Sequence, residues 1–181
     1  MLTHEQAMAI EEQIPALRRY ARALVRNADR ADDLVQDCLE RAVSRFHQFQ
    51  PGTNLRTWMF TILHNVHCDA LRRQKRRGTD VPIEEWERRA KTNANQPRAM
   101  EMRDFRRMFS KLPESDRHIL YLVGVEGYSY EEASEVLDVA VGTVKSRLFR
   151  ARERLRTLQD GMTEPMTPST NWEGSLQTAS I

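Results

Sequence analysis

The sequence predicts an all-α protein made of two small helical domains joined by a flexible linker, the second domain containing a helix-turn-helix. Three observations support this prediction. Apolar residues recur every three or four positions along most of the chain, and no segment alternates as a strand does. The 181 residues include only seven glycines and seven prolines, which are few for a turn-rich β protein. One long stretch without helical periodicity separates the periodic segments, and this length suits one domain or two small ones.

The composition restricts the classes of protein to which the chain can belong. Hydrophobic residues make up 40% of the sequence and charged residues 30%, which is enough apolar material for a core. No run of roughly 18 apolar residues exists, so we expect no membrane insertion. The N-terminus lacks a basic and apolar leader, and two cysteines are too few for a disulfide framework. We therefore expect a cytoplasmic protein.

Three amphipathic helices are predicted in the first part of the chain, after a short leading helix. Thr3 with Gln6 is spaced as a capping box for the leading helix. Asp29 is placed to cap the second amphipathic helix, and Asn54 is placed to cap the third. Apolar residues repeat at three and four positions after each of these signals. These helices form the first predicted domain, residues 10–77.

Two stretches lack helical periodicity and are predicted to lie outside the domains. Residues 78–98 contain glycine, proline and asparagine, and we interpret them as a flexible linker. At roughly 3.3 Å per residue this linker spans about 70 Å when extended, so the sequence leaves open whether the two domains pack together. Residues 161–181 are polar and are predicted to form a disordered tail.

The second predicted domain, residues 99–160, contains the sharpest local signal in the sequence. Ser129 with Glu132 is spaced as a capping box for a short helix. A break over residues 139–142 follows, and a long basic helix is predicted over residues 143–158. This pattern is typical of a helix-turn-helix whose second helix enters the major groove of DNA.

The long basic helix is predicted to have a buried face and a DNA-binding face. Val144 and Leu148 are four residues apart and are expected to face the preceding short helix. Arginine or lysine near the start of such a helix reads guanine, whereas later ones suit phosphates. The alternative is a solvated basic helix within a bundle. The candidate base-contacting residues are Lys145, Ser146, Arg147, Phe149 and Arg150, and the candidate phosphate-contacting residues are Arg152, Arg154 and Arg156.

The third helix of the first domain carries polar and basic groups on the face opposite its apolar stripe. Arg56 and Asn65 lie on this face, and a basic cluster follows over residues 72–77. Basic, amide and aromatic groups together can bind unstacked bases and the phosphate backbone. Trp58 fits the apolar stripe, so a core position is the favoured interpretation for it. Cations at a helix C-terminus also complement the helix dipole, which is the simpler explanation for part of the cluster.

Acidic and amide residues are concentrated at the start of the second helix. Asp32, Asp33, Gln36 and Asp37 lie in its first turns, where the helix dipole favours carboxylates. Complementarity to the dipole is the simpler explanation from the residues alone. A face that docks on a partner protein is the alternative.

Four motifs in this order and at this spacing resemble the extracytoplasmic-function sigma factors, the minimal two-domain branch of the sigma-70 family. They are Asp33-Leu-Val-Gln-Asp, Asn54-Leu-Arg-Thr-Trp-Met-Phe-Thr-Ile-Leu-His-Asn, Leu112-Pro and Gly142-Thr-Val-Lys-Ser-Arg-Leu-Phe-Arg-Ala-Arg-Glu-Arg-Leu. The resemblance covers residues 10–160. Pro51-Gly-Thr-Asn-Leu-Arg-Thr-Trp and Gly127-Tyr-Ser-Tyr-Glu-Glu-Ala are further similar to the general-stress sigma factors of alphaproteobacteria.

This resemblance implies a function and assigns roles to particular residues. It implies a sigma factor that directs core RNA polymerase to promoter DNA and assists DNA melting in a stress response, and that is held in check by an anti-sigma protein. Capture of a flipped base from the −10 element costs a few kcal/mol in lost stacking, which a pocket must offset. Lys145 stands where many relatives carry arginine, which weakens the case for a bidentate contact there. The implied core-polymerase-binding residues are Asp32, Asp33, Val35 and Gln36; the −10 residues are Asn54, Arg56, Trp58, Asn65, Arg72 and Arg73; the −35 residues are Thr143, Lys145, Ser146, Arg147, Phe149 and Arg150.

Other functions are weaker interpretations of the same sequence. A sigma-like decoy that binds an anti-sigma protein would carry a receiver domain, and no alternating βα segment is present in the sequence. A stand-alone repressor or activator does not explain the first domain. No phosphate-binding glycine loop or other catalytic motif is found, so we expect no enzyme, no cofactor and no small-molecule substrate. His64, His67, Cys68 and Cys38 match no zinc spacing, and we expect no metal site from them.

Overall fold

The computed structural model describes residues 2–25, 27–77 and 97–163, and within these ranges the chain is all-α with no strand, as the sequence predicts. Short 3₁₀ and π-helical turns cover Phe46–Gln48 and Tyr121–Val125. The described α-helices are α1 (His4–Glu11), α2 (Ile14–Leu24), α3 (Ala28–Ser44), α4 (Leu55–Arg77), α5 (Pro97–Lys111), α6 (Glu114–Leu120), α7 (Tyr130–Leu137) and α8 (Val141–Thr163).

Both predicted capping boxes are present, at the starts of α1 and α7. The hydroxyl of Thr3 accepts from the Gln6 backbone N–H at 3.2 Å, and the Gln6 side chain accepts from the Thr3 N–H at 2.9 Å. Ser129 and Glu132 exchange the equivalent pair of bonds at 3.1 and 2.9 Å. Each box satisfies two N–H groups that have no partner within the helix. The two predictions are confirmed.

The start of α3 differs from the prediction. Asn27, not Asp29, is the capping residue: its side-chain oxygen accepts from the Arg30 N–H at 3.0 Å. Asn27 has an extended backbone, with φ −111° and ψ 130°, whereas Asp29 already lies in the first helical turn. Asn and Asp are equally good caps, so the sequence alone does not rank the two positions. The carboxylate of Asp29 lies instead where the helix dipole favours negative charge.

The turn of the helix-turn-helix and the end of α8 also differ from the prediction. The predicted break covers residues 139–142, but the turn begins at Asp138, which has φ 49° in the left-handed region, and α8 already begins at Val141. Aspartate is one of the few non-glycine residues that visits this region. Gly142 is therefore helical rather than part of the turn, and α8 continues through Gly161 to Thr163. A helix can pass through a glycine at a cost of about 1 kcal/mol relative to alanine.

The two predicted helical groups share one hydrophobic core. Helices α2, α3 and α4 pack against one another, and α6, α7 and α8 form a second group. Helix α6 lies against α2, and α7 lies against α4, so the core runs continuously through both groups. The largest fully buried side chains are Tyr20, Phe60, Leu17, Leu24, Met59, Leu63, Leu112, Ile119, Leu122, Val66, Val136 and Val144.

Four consecutive residues of α6, 116–119, are buried, because α2 and α8 both pack against this helix. Arg117 is buried and donates to three backbone carbonyls. Its guanidinium nitrogens lie 3.2 Å from the oxygen of Ala23, 3.0 Å from that of Leu24 and 2.8 Å from that of Leu112. The first two carbonyls belong to the C-terminal end of α2, where carbonyl groups have no partner within the helix. Arg117 therefore ties the end of α2 to α6.

The segments predicted to be flexible lie largely outside the described residues. This holds for the linker, residues 78–98, and for the tail, residues 161–181. In the ranges that the structure does describe, no helix is both long and apolar enough to cross a membrane.

Candidate nucleic-acid interface

The first predicted DNA-binding surface is the N-terminal part of α8. Val144 and Leu148 are buried against the core, together with Ala151 one turn later, which confirms the predicted buried face. These contacts fix the rotation of α8 about its axis relative to α7. The opposite face of α8 is thereby directed towards solvent.

Most of the predicted −35 residues lie on this solvent-facing side of α8. Phe149 is 68% exposed, so its ring is available to a partner. The side chain of Lys145 reaches back over the ring of Tyr130 on α7, 5.8 Å from its centroid. The helix therefore presents basic, hydroxyl and aromatic groups together. Lys145, Ser146, Phe149 and Arg150 are exposed, and Thr143 and Arg147 are half-buried.

The arginines further along α8 are partly engaged within the chain. Arg154 forms an ion pair with Asp116, whose side chain is buried. Arg156 pairs with Glu153 at 2.6 Å on the surface of the same helix. Because a buried carboxylate neutralises Arg154, its charge is less available for a DNA phosphate than the sequence predicts.

The second predicted surface begins with the capping residue of α4. The side-chain oxygen of Asn54 accepts from the N–H groups of Arg56 at 3.0 Å and Thr57 at 3.3 Å. This confirms Asn54 as the predicted cap. Asn54 is exposed, and its amide NH₂ group is a donor that the capping bonds do not use.

Arg56, one of the predicted −10 residues, is paired with the second helical group. Its guanidinium forms an ion pair with Glu126, whose side chain is only 3% exposed. Glu126 also accepts a 2.8 Å hydrogen bond from the hydroxyl of Tyr121 and lies 3.9 Å from the guanidinium of Arg19. The guanidinium of Arg56 additionally lies over the ring of Phe60, 5.6 Å from its centroid. A buried carboxylate from one group thus holds two arginines of the other.

A stack of aromatic rings surrounds this ion pair. Tyr20 lies 4.9 Å from Phe60 and 5.3 Å from Tyr121, and Phe60 lies 5.6 Å from Tyr128, between ring centroids. Burial raises the pKa of Tyr20, Tyr121 and Tyr128 above the ordinary value for tyrosine. All three therefore remain neutral, so the rings form an apolar surround for the Arg56–Glu126 ion pair.

Trp58 lies in a smaller aromatic cluster at the loop before α4. Its ring is 6.1 Å from Phe46 and 5.4 Å from Phe49, between centroids. The side chain is half-buried and packs against the core, in agreement with the favoured core interpretation. The same loop borders a groove whose lining includes Val43 and Pro51.

The distal part of α4 carries an open basic surface. Asn65 is exposed on the side that faces away from the core. Arg72 and Arg73 are also exposed, and Arg72 forms a 3.3 Å ion pair with Asp69. Asp69 also pairs with Arg41 on α3 at 3.3 Å. A shallow cleft lined by Arg41, Asp69, Arg72, Arg73, Lys75 and Arg76 lies between α3 and α4.

The predicted polymerase-docking residues divide into surface and core positions on α3. Asp32, Asp33 and Gln36 are exposed and form a polar strip. Arg18 lies 4.0 Å from Asp32 at the edge of this strip. Val35 is 3% exposed and belongs to the core, so it positions the helix rather than contributing to the surface in this arrangement.

Several residues of the contact between the helical groups were not singled out from the sequence. Glu126, Arg19 and Arg117 are charged side chains that look like ordinary surface positions in a helical pattern. One local signal is present in the sequence. The polar run at residues 116–118 stands directly before an apolar segment, which indicates that polar groups are buried there. Their partners lie more than 90 residues away in the case of Arg117, and spacing cannot reveal such a contact.

Comparison with known families gives two matches that together cover both helical groups. Residues 10–64 match the family described as the sigma2 domain of PhyR, and residues 102–155 match sigma-70 region 4. The chain is 43% identical over 145 residues to the ECF RNA polymerase sigma factor EcfG of Rhodopseudomonas palustris (strain TIE-1), with 80% of both chains covered.

Two solved structures have a similar fold. One is the sigma factor RpoE in complex with the anti-sigma factor NepR from Bartonella quintana, with a TM-score of 0.73, 31% identity, and 87% of this chain and 98% of that chain covered. The other is CnrH in complex with the cytosolic domain of CnrY, with a TM-score of 0.63, 27% identity, and 86% and 87% of the chains covered.

Proposed function

The chain belongs to the extracytoplasmic-function branch of the sigma-70 family, and from this premise we propose which of its surfaces bind promoter DNA, core polymerase and a regulator. It is a sigma factor of a stress response, whose family directs core RNA polymerase to promoters. Residues 10–77 would bind core polymerase and the −10 element, and residues 99–160 the −35 element. The proposed site of action is the cytoplasm, and no catalytic activity of its own is proposed.

The −35 element would be read by α8. The observation that supports this is the exposed group of Lys145, Ser146, Phe149 and Arg150 on a helix whose opposite face is buried. Arg150 is a donor for guanine, and Phe149 is an apolar contact for a thymine methyl group. A good bidentate arginine–guanine pair discriminates between bases by about 1–3 kcal/mol.

The −10 element would be bound by the loop before α4 and by the exposed face of α4. Asn54 and Asn65 supply amide groups, and Arg72 and Arg73 supply cations for the backbone. The half-buried ring of Trp58 lies at the edge of the same surface. Arg56 would join this surface only after its pair with Glu126 separates.

Docking on core polymerase would use the exposed strip Asp32, Asp33 and Gln36 of α3. An anti-sigma protein is the proposed regulator, in line with the RpoE–NepR and CnrH–CnrY complexes. The match of residues 10–64 to the sigma2 domain of PhyR also supports a second candidate function, a decoy that binds an anti-sigma protein without initiating transcription.

Promoter melting distinguishes these two functions. The full chain is mixed with core RNA polymerase and promoter fragments, and single-stranded thymines near the start site are mapped with permanganate. We expect localised melting that is lost in Asn65→Ala and strongly reduced in Arg150→Ala through weaker upstream contacts, with Arg22→Ala, an exposed arginine on α2, as the matched control. Absence of melting by the native chain, with tight binding of an anti-sigma protein, would instead identify a decoy.

A further inference from the structure

A cluster of imidazole and carboxylate groups lies between α4 and α6, apart from the proposed DNA-binding surfaces. His67 Nε2 lies 2.7 Å from Glu114 Oε1, and His118 Nε2 lies 3.6 Å from the same oxygen. One nitrogen or oxygen atom from each of these three side chains lies within 4.8 Å of the other two. The chain has five histidines, and three of them, including His64, meet at this point.

The hydrogen bonds around His118 leave one of its ring nitrogens without a partner. His118 Nδ1 lies 3.2 Å from His64 Nδ1, and His64 Nε2 lies 3.4 Å from the Cys68 sulfur. Two arrangements of the protons fit these contacts, and the one that leaves His118 Nε2 free to bind a metal places the protons on His118 Nδ1 and His64 Nε2. His118 Nε2 then keeps its lone pair, is buried, and makes no hydrogen bond. It lies 3.6 Å from the carboxylate oxygen of Glu114, and a cation bound between these two atoms would satisfy both.

The closest contact in the cluster is the hydrogen bond between His67 Nε2 and Glu114 Oε1. Metal ligands must be free of protons, so a bound ion would take the place of the proton that these two atoms now share.

We propose that His67, Glu114 and His118 form a binding site for a divalent transition-metal ion, with Zn²⁺ as the ion that best matches these donors. Two imidazoles and one carboxylate, with a water as fourth ligand, are a common zinc set. Zinc–ligand bonds of about 2.0–2.1 Å place tetrahedral ligand atoms about 3.3 Å apart. The 3.6 Å separation of His118 Nε2 and Glu114 Oε1 is close to this value, whereas the 2.7 Å separation of His67 Nε2 and Glu114 Oε1 is that of a hydrogen bond and has to lengthen when zinc binds. The bond from His118 Nδ1 to His64 is the outer-shell contact that orients a metal-binding histidine.

The site requires both helical groups of the molecule. His67 is on α4, whereas Glu114 and His118 are on α6. When the groups separate, a single histidine remains on one side, so the metal binds the closed molecule preferentially and stabilises it. Spacing along the chain does not reveal this set of ligands, because Glu114 lies 47 residues from His67.

Calorimetric titration of Zn²⁺ into the untagged, EDTA-treated full chain tests the proposal. We expect one Zn²⁺ per chain, a higher midpoint of thermal unfolding in the presence of zinc, and tetrahedral Co²⁺ absorption bands when cobalt replaces zinc. His67→Gln and Glu114→Gln should each weaken binding by at least about a hundredfold, because even outer-shell changes cost 10–100-fold. His4→Gln removes an exposed histidine outside the cluster and should leave binding unchanged.

Two results would overturn the proposal. One is the absence of saturable zinc binding by the native chain. The other is native-like binding by Glu114→Gln, or loss of binding in Cys68→Ser with retention in His67→Gln, which would place the metal on other ligands. Because His67 is buried, Glu114→Gln, whose side chain is 35% exposed, decides the matter if the histidine variant fails to fold.

Discussion

Burial decides which single side chains of this molecule are available to a partner. On α3, Asp33 is exposed while Val35, two residues later, is in the core. On α8, Phe149 is exposed while Leu148 is buried. Adjacent residues thus have opposite roles, and the proposed interfaces are made of the exposed members only.

The thiol of Cys38 provides a test at the scale of one residue. Cys38 is fully buried, and burial raises the pKa of its thiol to about 12. At pH 8 only about one ten-thousandth of it is thiolate, which is the reactive form. We expect iodoacetamide to leave Cys38 unmodified in the native protein and to modify it in denaturant, as read by mass spectrometry. Rapid native modification at pH 8 would show that the α3–α4 contact is open.

At the scale of elements, Asn54 has two roles that a pair of substitutions separates. Asn54→Ala removes the cap of α4 and should lower the free energy of unfolding by about 1 kcal/mol, which corresponds to about 2–4 °C in the thermal midpoint for a chain of this size. Asn54→Asp keeps an accepting oxygen and should preserve stability, yet it loses the amide donor and adds negative charge. We therefore expect Asn54→Asp to be stable but impaired in −10 binding. Equal binding by Asn54→Asp and the native chain would remove Asn54 from the proposed DNA-binding surface.

The turn between α7 and α8 gives a second prediction at this scale. Gly142 has an ordinary helical backbone, and a Cβ added there meets nothing within 4 Å. Gly142→Ala should therefore raise the free energy of unfolding by up to about 1 kcal/mol in chemical denaturation. Gly127, with φ 74°, is the contrasting control, and Gly127→Ala should be destabilising. Destabilisation by Gly142→Ala would mean that the turn extends to residue 142, as the sequence first suggested.

The sequence predicts elements well where the signals are local and less well where two residues compete. The capping boxes at Thr3 and Ser129 involve residues three apart, and both form as expected. The cap at Asn27 and the left-handed turn at Asp138 were placed wrongly, because neighbouring residues are equally suited to those positions. The buried face of α8 was predictable, since Val144 and Leu148 follow the helical period.

At the scale of the whole molecule, the packing of the two helical groups against each other leaves one proposed DNA-binding surface more exposed than the other. Most of the proposed −35 residues of α8 remain exposed, whereas Arg56, a proposed −10 residue, is held by the buried carboxylate of Glu126. Nothing local in the sequence indicates this contact, because it depends on how α6 and the turn after it lie against α4. If Arg56 belongs to the −10 surface as proposed, its pair with Glu126 has to separate before that surface is complete.

This separation should limit the affinity of the free chain for DNA. The open form is the one in which the two helical groups have separated. If only this form binds the −10 strand, the measured affinity falls in proportion to the fraction of the chain that is open. Only the carboxylate of this pair is buried, and the side chain of Arg56 is 37% exposed, so removing the charge of Glu126 costs less than breaking a fully buried pair but still weakens the contact between the helical groups. Glu126→Gln should therefore populate the open form and expose Arg56. We expect core polymerase to favour the open form and so to reduce the difference between the variant and the native chain.

The most direct measurement is the affinity of the free chain for a single-stranded −10 oligonucleotide, compared for the native protein, Glu126→Gln and Glu131→Gln. Glu131 is an exposed carboxylate on α7, so its substitution controls for the loss of one negative charge. We expect Glu126→Gln to bind at least about tenfold more tightly than the native chain, and Glu131→Gln to bind within about twofold of it, as a screened surface charge should. Equal affinity of all three proteins would contradict the conclusion that the closed molecule holds Arg56 away from DNA.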